Sequence, residues 1–287
     1  MPGLSISAEQ LITKNIELVS LPAIVMKINQ LLAEPNASAA DIAEYIAQDP
    51  ALTARVLQIV NSALFNFPSK IDSLSMAVTI TGTQHLRDIV IANSVINKFN
   101  NVDSTALNIE TFWCHSITTG LAARTLARQV NFRDAERVFI SGLLHDIGKM
   151  VMSLLLPIQT RQLSKALQSA DVDIDNIEQQ VFGFTHSDVA HALLEHWQFP
   201  QSISMPILHH HHLDGPKTSQ LDTAIVHIAN VIANNIQAPV SGDDDTLLNP
   251  QALQIVGLDE SELGTCYEVV YKLLDDVLND LYYAIAA

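Results

Sequence analysis

The chain has few of the residues that build tight turns or disulfide frameworks. Its 287 residues include 10 glycines, 11 prolines and only two cysteines, Cys114 and Cys266. So few glycines and prolines argue against a barrel or a sandwich, because such folds need many turns. Two cysteines make neither a disulfide framework nor a thiolate zinc site, and they fit a reducing cytosol.

Basic residues are also scarce. Lys and Arg together number 15 against 31 Asp and Glu, which gives a formal net charge of −16 at pH 7. Such a chain repels phosphate backbones, so we expect no nucleic-acid partner. A local basic pocket could still bind one small anion.

Long apolar segments are missing from the sequence. The longest apolar run, residues 150–158, is broken by Ser153 and Pro157 and falls far short of the ~20 residues that span a bilayer. The first ten residues lack a basic patch followed by an apolar run, so we expect no signal peptide. These features predict a cytoplasmic protein that does not bind membranes.

What the chain does contain is helical periodicity. Apolar residues make up 48% of the sequence and recur at spacings of three and four, which favours helices around a sizeable core. The length suits one large or two medium domains. The polar stretch 97–105 is the best linker candidate, and residues 241–245 indicate a solvated loop. Beyond the linker we predict helices at about 108–130, 134–146, 150–170, 174–182, 186–197, 201–212, 219–236 and 259–285.

Short motifs predict several helix boundaries in the first hundred residues. Ser38 followed by Asp41 is close to a capping box, and Asp49 before Pro50 combines an N-cap with a first-turn proline. Gly82 should divide an apolar stretch rich in Ile, Val and Thr into two helices.

A polar residue at the end of a strongly apolar helix also needs an explanation. Buried polar groups require partners, so we expect Asn61 to hydrogen-bond backbone across a helix junction. An alternative is a polar patch for a partner protein, formed by Arg55, Asn61 and Ser62.

The most informative segment is residues 145–149, a His-Asp pair followed by Gly and Lys. Neighbouring side chains point ~100° apart on an ideal helix, so His145 and Asp146 bind one ion only at a helix end, which Gly148 would supply. Imidazole nitrogen with carboxylate oxygen suits Fe, Mn, Zn or Co, and His115 adds a third candidate ligand. Lys149 either contacts a phosphate near the metal or complements the dipole at a helix C-terminus.

Several other histidines are weighed as ligands. His186 opens a predicted helix and is a functional candidate, whereas His191 and His196 are read mainly as polar decoration of that helix. Of the four consecutive histidines at 209–212, only one or two can face one site if they are helical. Two further histidines on otherwise apolar helices are interpreted as structural: His85 and His227.

The chain resembles the HDOD domain, the HD-related output domain of bacterial signalling proteins. The segments that carry the resemblance are Ser20-Leu21-Pro22, Gln48-Asp49-Pro50-Ala51-Leu52, Val60-Asn61-Ser62-Ala63, Phe112-Trp113-Cys114-His115-Ser116, Gly142-Leu143-Leu144-His145-Asp146-Ile147-Gly148-Lys149 and Gly183-Phe184-Thr185-His186. The histidine run before Leu213 also matches, and the resemblance covers about residues 14–236.

The resemblance implies an all-α fold in two lobes. An N-terminal helical lobe would occupy residues 1–100 and an HD-like C-terminal helical lobe residues 101–287, of which 237–287 form a helical extension. The C-terminal lobe would be related to HD phosphohydrolases and to HD-GYP cyclic di-GMP phosphodiesterases.

The resemblance also implies a set of metal ligands. The HD pattern comprises a first histidine, a His-Asp pair and a later aspartate, and its first three members match His115, His145 and Asp146. Asn230 stands where the later aspartate is expected, and an amide is a poor, neutral ligand.

The additional histidines of the HD-GYP pattern match His186 and two members of the histidine run. Counting from Pro200 favours His210 and His211. Residues 214–216 are only a fragment of the Gly-Tyr-Pro signature.

Together these matches imply a bacterial signal-transduction module with one or two divalent transition ions. Any catalysis would involve Asp146 and Lys149, but Asp146 would be the only carboxylate in the site. We therefore expect binding of a phosphate or nucleotide ligand with weak or no hydrolysis, and a protein partner in a signalling pathway. The alternative is a metal-dependent phosphohydrolase acting on a nucleotide or cyclic dinucleotide. A third alternative is a purely structural adaptor, in which the histidines would not converge on one site.

Overall fold

The structure is a computed structural model that describes residues 6–21, 25–28, 31, 38–62, 65, 67, 69–100, 106–167, 173–237 and 247–283. Within these ranges the chain forms helices, turns and loops but no strand, which confirms the predicted all-α class.

Helices make up most of the described ranges. In chain order they are α1 (Ala8–Lys14), α2 (Ile16–Val19), α3 (Ala39–Ala47), α4 (Pro50–Val60), α5 (Leu74–Thr81), α6 (Thr83–Asn100), α7 (Ile109–Gln129), α8 (Ala135–Leu144), α9 (Ile147–Leu155), α10 (Pro157–Ala166), α11 (Ile174–Val181), α12 (His186–His196), α13 (Gln201–Leu208), α14 (Gln220–Ile236), α15 (Pro250–Val256) and α16 (Leu263–Leu278). A 3-10 helix, Glu260–Glu262, precedes α16 and a π-helix, Asn279–Tyr283, follows it.

The chain divides into two compact units, each assembled from two separate segments. The first comprises Met1–Ser20 and Val102–Tyr271, and the second comprises Leu21–Asn101 and Lys272–Ala287. The candidate metal ligands all belong to the first unit.

Three helix boundaries of the second unit confirm the sequence analysis. The Ser38 hydroxyl accepts from the Asp41 backbone N–H, and the Asp41 carboxylate accepts from the Ser38 N–H, which completes a capping box. Asp49 caps α4 by accepting from the Leu52 N–H, with proline in the first turn. Gly82 has φ 83° and separates α5 from α6, because this positive φ, which glycine adopts readily, does not continue the first helix.

Asn61 joins the end of α4 to the segment that leads into α5. Its Nδ2 donates to the carbonyls of Ile71 and Leu57, each at 2.7 Å. The backbone N–H of Ile71 donates in turn to Asn61 Oδ1 at 2.8 Å. The expected hydrogen bonds across a helix junction are therefore confirmed.

In the first unit, α7, α8 and α14 pack together and form much of the core. The backbones of α7 and α8 approach closely, since a Cβ on Gly142 would lie 3.0 Å from the Cα of Gly120. The buried Arg124 donates through Nε to Glu136 Oε1 at 2.6 Å and fastens the same pair of helices. This packing places His115 of α7 beside the end of α8.

Two predicted helices of the first unit need correction. The helix expected at 150–170 is divided, because Pro157 starts α10 and the residue before a proline disfavours helical geometry. The helix expected at 201–212 ends at Leu208, where His209 leaves helical geometry with ψ 11°. The run of four histidines therefore lies in turns and not on a helix.

Two predictions about connections are affected, and one helix was not predicted. Residues 97–100 of the predicted linker belong to α6, so that part of the prediction is wrong. Residues 101–105 and the predicted loop at 241–245 lie outside the described residues. Helix α15, which ends at the left-handed Gly257, is an element that the sequence analysis does not predict.

By length and composition alone, the 21 residues of Ala135–Leu155 could cross a membrane, with a mean hydropathy of 1.5. In the structure 83% of an apolar 18-residue window within this stretch is buried, and the stretch is interrupted between α8 and α9. A helix of this length and composition is weak evidence for a membrane span, because the core helices of soluble proteins share both properties.

Candidate metal centre

The His145–Asp146 pair forms the turn between α8 and α9. Helix α8 ends at Leu144 and α9 begins at Ile147, so the helix end that the sequence argument required lies at the pair itself. His145 Nδ1 lies 2.8 Å from the Gly142 carbonyl. Since a carbonyl only accepts, Nδ1 carries the proton and Nε2 keeps a lone pair for a ligand.

A first group of possible ligand atoms comes from His115, His145 and Asp146. The two imidazole Nε2 atoms lie 3.3 Å apart. Asp146 Oδ2 lies 3.4 Å from His145 Nε2 and 3.8 Å from His115 Nε2. These three atoms lie within 4.8 Å of one another, close enough to surround one ion.

A second group comes from His186, His210 and His211. Helix α12 supplies His186, and the turn after α13 supplies the other two. The Nε2 atoms of His186 and His211 are 3.0 Å apart. His210 Nδ1 donates to the Ile207 carbonyl at 2.7 Å, which leaves its Nε2 with a lone pair.

Asp146 lies between the two groups. Its Oδ2 belongs to the first group, whereas its Oδ1 lies 3.4 Å from His186 Nε2 in the second. Among the described residues, Asp146 Oδ1 and His210 Nε2 are buried and have no hydrogen-bond partner. Buried polar atoms rarely lack partners, so these two atoms fit ligands of a cation.

Burial sets the protonation of His145 and His210. The pKa of His145 falls to about 3, mainly because burial disfavours the charged imidazole. Burial together with the neighbouring imidazoles holds the pKa of His210 well below its usual value. Both rings are therefore neutral at pH 7, which is the form that binds a metal.

The pKa of the Asp146 carboxyl is also lowered, which for an acid favours the charged form. Burial by itself raises its pKa, but His145, Lys149, His186 and His115 outweigh that effect and hold the pKa well below the usual value. Asp146 therefore offers a carboxylate to both groups.

Gly148 has a different role from the one expected, and one of the two alternatives for Lys149 is excluded. Gly148 does not end a helix, because it lies in the first turn of α9. A Cβ there would lie 1.9 Å from the His186 carbonyl oxygen, so glycine is needed for the close approach of α9 to α12. Lys149 lies in the same first turn, which rules out the C-terminal dipole alternative, and its Nζ donates to Asp146 Oδ2 at 3.0 Å.

Two carboxylates near the second group were missed by the sequence analysis. Glu178 is fully buried, and its Oε2 accepts from both the backbone N–H and Nδ1 of His186, at 2.6 and 2.8 Å. Asp175, one turn earlier on α11, has Oδ1 4.0 Å from the same Nδ1. Asp146 is the one carboxylate that the family motif places in the site, and it is the one in the two groups described above. Asp175 and Glu178 form a further group with His186, in which the possible ligand atoms lie within 4.8 Å of one another.

The other two members of the histidine run contact carboxylates that belong to neither of these two ligand groups. His209 Nδ1 contacts Asp214 Oδ1 at 2.7 Å, and His212 Nε2 contacts Asp175 Oδ2 at 2.8 Å. The run thus contributes two of its four members to the second group.

The remaining histidines stand apart from both ligand groups. His227 is hydrogen-bonded at both nitrogens, donating from Nδ1 to the His210 carbonyl and accepting at Nε2 from the Asn249 N–H. It therefore has the structural role that was predicted. His191 and His196 on α12 are outside both groups, and the side chain of His85 lies outside the described residues.

Asn230 lines a cavity next to the second group. The cavity has a volume of about 330 Å³, and His211, His212, Leu248 and Asn249 are among its walls. The Asn230 side chain is buried, and its Oδ1 accepts from Asn234 Nδ2 at 3.4 Å. The cavity offers room for a ligand beside His211.

The family follows from a comparison of the whole sequence. The HDOD domain model matches residues 18–213, which is well over half of the chain. The chain belongs to the HDOD family. The resemblance carried by the motifs is thereby confirmed.

Solved structures show the same fold. An HDOD domain protein from Geobacter sulfurreducens is 24% identical with a TM-score of 0.75, over 94% of this chain and 98% of that one. A provisionally assigned signal transduction protein from Marinobacter aquaeolei is 17% identical with a TM-score of 0.75, over 96% of this chain and 61% of that one. A provisionally assigned metal-dependent phosphohydrolase from Shewanella amazonensis is 19% identical with a TM-score of 0.61, over 96% and 99%.

A relative among curated proteins comes from Treponema pallidum and is uncharacterised. It is 25% identical over 201 residues, which is 69% of this chain but only 38% of the relative. This HDOD chain thus spans well under half the length of that relative.

Proposed function

We propose that this HDOD chain is a cytoplasmic bacterial signal-transduction module whose HD-like site binds divalent transition metal and a phosphate-like ligand with little or no turnover. The observation that carries the proposal is the position of Asp146 between two groups of histidines. Its buried, unpartnered Oδ1 lies 3.4 Å from His186 Nε2, and the Nε2 of His210 is also buried without a hydrogen-bond partner.

The donor set supports Fe, Mn, Zn or Co, in one or two ions. Imidazole nitrogen with a single carboxylate is a ligand mixture that these metals accept, whereas Mg and Ca prefer oxygen. His115, His145 and Asp146 would hold one ion, and His186, His210 and His211 with Asp146 would hold the other. A bound ion would act as a Lewis acid toward a phosphate oxygen.

The charge of the site supports anion binding over hydrolysis. Asp146 contributes the one negative charge in direct contact, while Lys149 adds a positive charge 3.0 Å from it. Two dications beside these groups would leave a positive site, which attracts phosphate. Asn230 adds no charge, so the site has few groups that could orient and deprotonate an attacking water.

A second candidate function is a metal-dependent phosphohydrolase acting on a nucleotide or cyclic dinucleotide. The shared carboxylate of Asp146 favours it, because one carboxylate between two ions is typical of sites that clamp a phosphoryl group. The name of the Shewanella amazonensis neighbour agrees with this candidate. In it, Lys149 would stabilise negative charge on the phosphate.

A signalling module also needs a partner to which it passes its state. We infer a protein partner from the HDOD family and from the name of the Marinobacter aquaeolei neighbour. The net charge of −16 makes a nucleic acid an unsuitable partner.

The experiment is metal analysis of protein purified without a nickel column, followed by titration with inorganic phosphate and a screen of phosphodiesters. We expect one or two transition ions per chain, phosphate binding that requires them, and hydrolysis near background. His186→Ala should lose metal, whereas His196→Ala, on the same helix but outside both groups, should keep it. No transition metal in the native protein, and none taken up on soaking, would refute the proposal.

A further inference from the structure

Two buried acidic side chains lie behind His186 and belong to neither of the two ligand groups of the proposed function. Glu178 is fully buried and Asp175 is 7% exposed, and they lie three residues apart on one face of α11. Glu178 Oε1 and Asp175 Oδ1 are both buried without a hydrogen-bond partner among the described residues. Because burying a carboxylate is costly unless it is compensated, this arrangement needs an explanation.

Glu178 holds the ring of His186 from the side opposite the second ligand group. One oxygen, Oε2, accepts from both the backbone N–H and Nδ1 of His186. These two bonds fix the position of the first residue of α12 and the orientation of its ring. They also place the proton on Nδ1, so that Nε2, 3.0 Å from His211 Nε2, carries the lone pair.

Asp175 adds a second negative charge to the same side of the ring. Its Oδ1 lies 4.0 Å from His186 Nδ1, and its Oδ2 accepts from His212 Nε2 at 2.8 Å. The two carboxylates therefore face the proton-bearing side of one imidazole. A carboxylate that accepts from the far nitrogen of a histidine makes that histidine a stronger metal ligand.

We propose that Glu178 is the positioning residue of the second ligand group and that Glu178 and Asp175 together provide negative charge that the direct ligands lack. The proposal rests on the proposed function, since it concerns metal affinity. It differs from a purely structural tie between α11 and α12, which would affect stability but leave the affinity of folded protein unchanged.

The test compares metal binding in Glu178→Gln, Glu178→Ala and Asp175→Asn. Protein is stripped of metal and titrated with Co²⁺, the absorption spectrum is followed, and affinity is measured by competition with a chelator. The ion of the second group is identified as the one lost from His211→Ala and kept in His115→Ala. Melting temperature is measured on the same samples.

Asp188→Asn is the matched control. Asp188 lies on α12 two residues after His186, and its carboxylate accepts from the Thr185 N–H at 2.8 Å as part of a capping box. Like Glu178→Gln, the Asp188→Asn substitution replaces a carboxylate that contacts the start of α12 with an amide. Asp188 belongs to neither ligand group. A general weakening of this helix would affect both variants alike.

We expect Glu178→Gln to lower the affinity for the ion of the second group by about 10–100-fold and to leave the affinity for the first ion unchanged. The Asp188→Asn control should bind both ions with wild-type affinity. Glu178→Ala should weaken it further, and Asp175→Asn less. If Glu178→Ala fails to fold, the nearly isosteric Gln variant decides. If folded Glu178→Gln and Asp175→Asn bind the second ion with wild-type affinity, this inference is overturned but the proposed function is not. If the wild-type protein binds no metal, the proposed function is overturned as well.

Discussion

Asp146 Oδ1 lies 3.4 Å from Nε2 of His186, although the two residues belong to different helical segments. The other oxygen of the same carboxylate lies 3.4 Å from Nε2 of His145. One carboxylate thus connects the two histidine groups, and its loss should affect both.

We therefore predict that Asp146→Asn loses metal from both groups. An amide cannot balance the charge of an ion, and the remaining ligands are neutral imidazoles, so the drop in affinity should exceed the roughly 10–100-fold expected for an indirect partner. Metal content measured after dialysis checks the prediction, with His196→Ala as the control. Retention of one ion at full occupancy would show that Asp146 is not shared.

Gly148 allows a second test of the site's geometry. We predict that Gly148→Ala destabilises the protein by roughly 1–3 kcal/mol or more and weakens the second ion, because the new Cβ would lie 1.9 Å from the His186 carbonyl oxygen. The control is Gly264→Ala on α16, where a Cβ meets nothing within 4 Å. That change should leave stability unaltered or raise it by up to about 1 kcal/mol, since alanine favours helices. Equal denaturant midpoints for the two variants would contradict the predicted contact.

The pKa of His145 predicts how the metal-free protein responds to acid. In the folded chain this pKa is about 3, against 6.5 for an ordinary histidine, so only the unfolded chain binds a proton between these values. The free energy of unfolding should therefore fall as pH decreases from 6.5 toward about 3, with a contribution on the order of 1 kcal/mol per pH unit. Above pH 6.5 that contribution is fully present.

Urea unfolding of metal-free protein at pH 6 and pH 5 measures this effect. His145→Gln removes the titrating group, so its stability should change less over the same interval than that of the wild-type chain. Parallel pH profiles for the two proteins would mean that His145 is not held neutral in the fold.

Asn61 gives a prediction for the second unit. Asn61→Ala leaves the backbone N–H and carbonyl of the buried Ile71 without their partner, which should cost roughly 1–3 kcal/mol. A melting temperature lowered by several degrees is expected. Gln58→Ala on the same helix, whose exposed side chain accepts from Arg55, should change stability by less than about 0.5 kcal/mol. An unchanged melting temperature in Asn61→Ala would argue for the partner-binding alternative.

The all-α class and several helix ends could be predicted because they depend on local patterns. Ser38, Asp49 and Gly82 act within one turn of their own helix, and each appears in the structure with the predicted role. The histidines that converge could also be selected, since their order along the chain matches a family pattern.

The remaining features depend on packing between distant helices. Glu178 looks in the sequence like one more polar residue on an amphipathic helix, and only the position of α11 behind His186 reveals its contacts. Gly148 looks like a helix end, but its role is set by the neighbouring backbone of α12. Neither feature has a local signal that sequence reasoning could use.

The last prediction concerns Asn230 and separates the two candidate functions. Asn230 is 3% exposed and lines the cavity beside His211, so Asn230→Asp would add a buried negative charge near the second group. If turnover is limited by a shortage of carboxylates, this variant should hydrolyse a cyclic dinucleotide or nucleotide measurably above a wild-type rate near background. Asn235→Asp adds the same charge at an exposed position of the same helix, and its rate of hydrolysis should stay at the wild-type level. The measurement is product formation with Mn²⁺ or Fe²⁺ present and with chelator added. Robust metal-dependent turnover by the unmodified chain would refute the regulatory proposal and establish the phosphohydrolase, because a site that already works needs no further carboxylate.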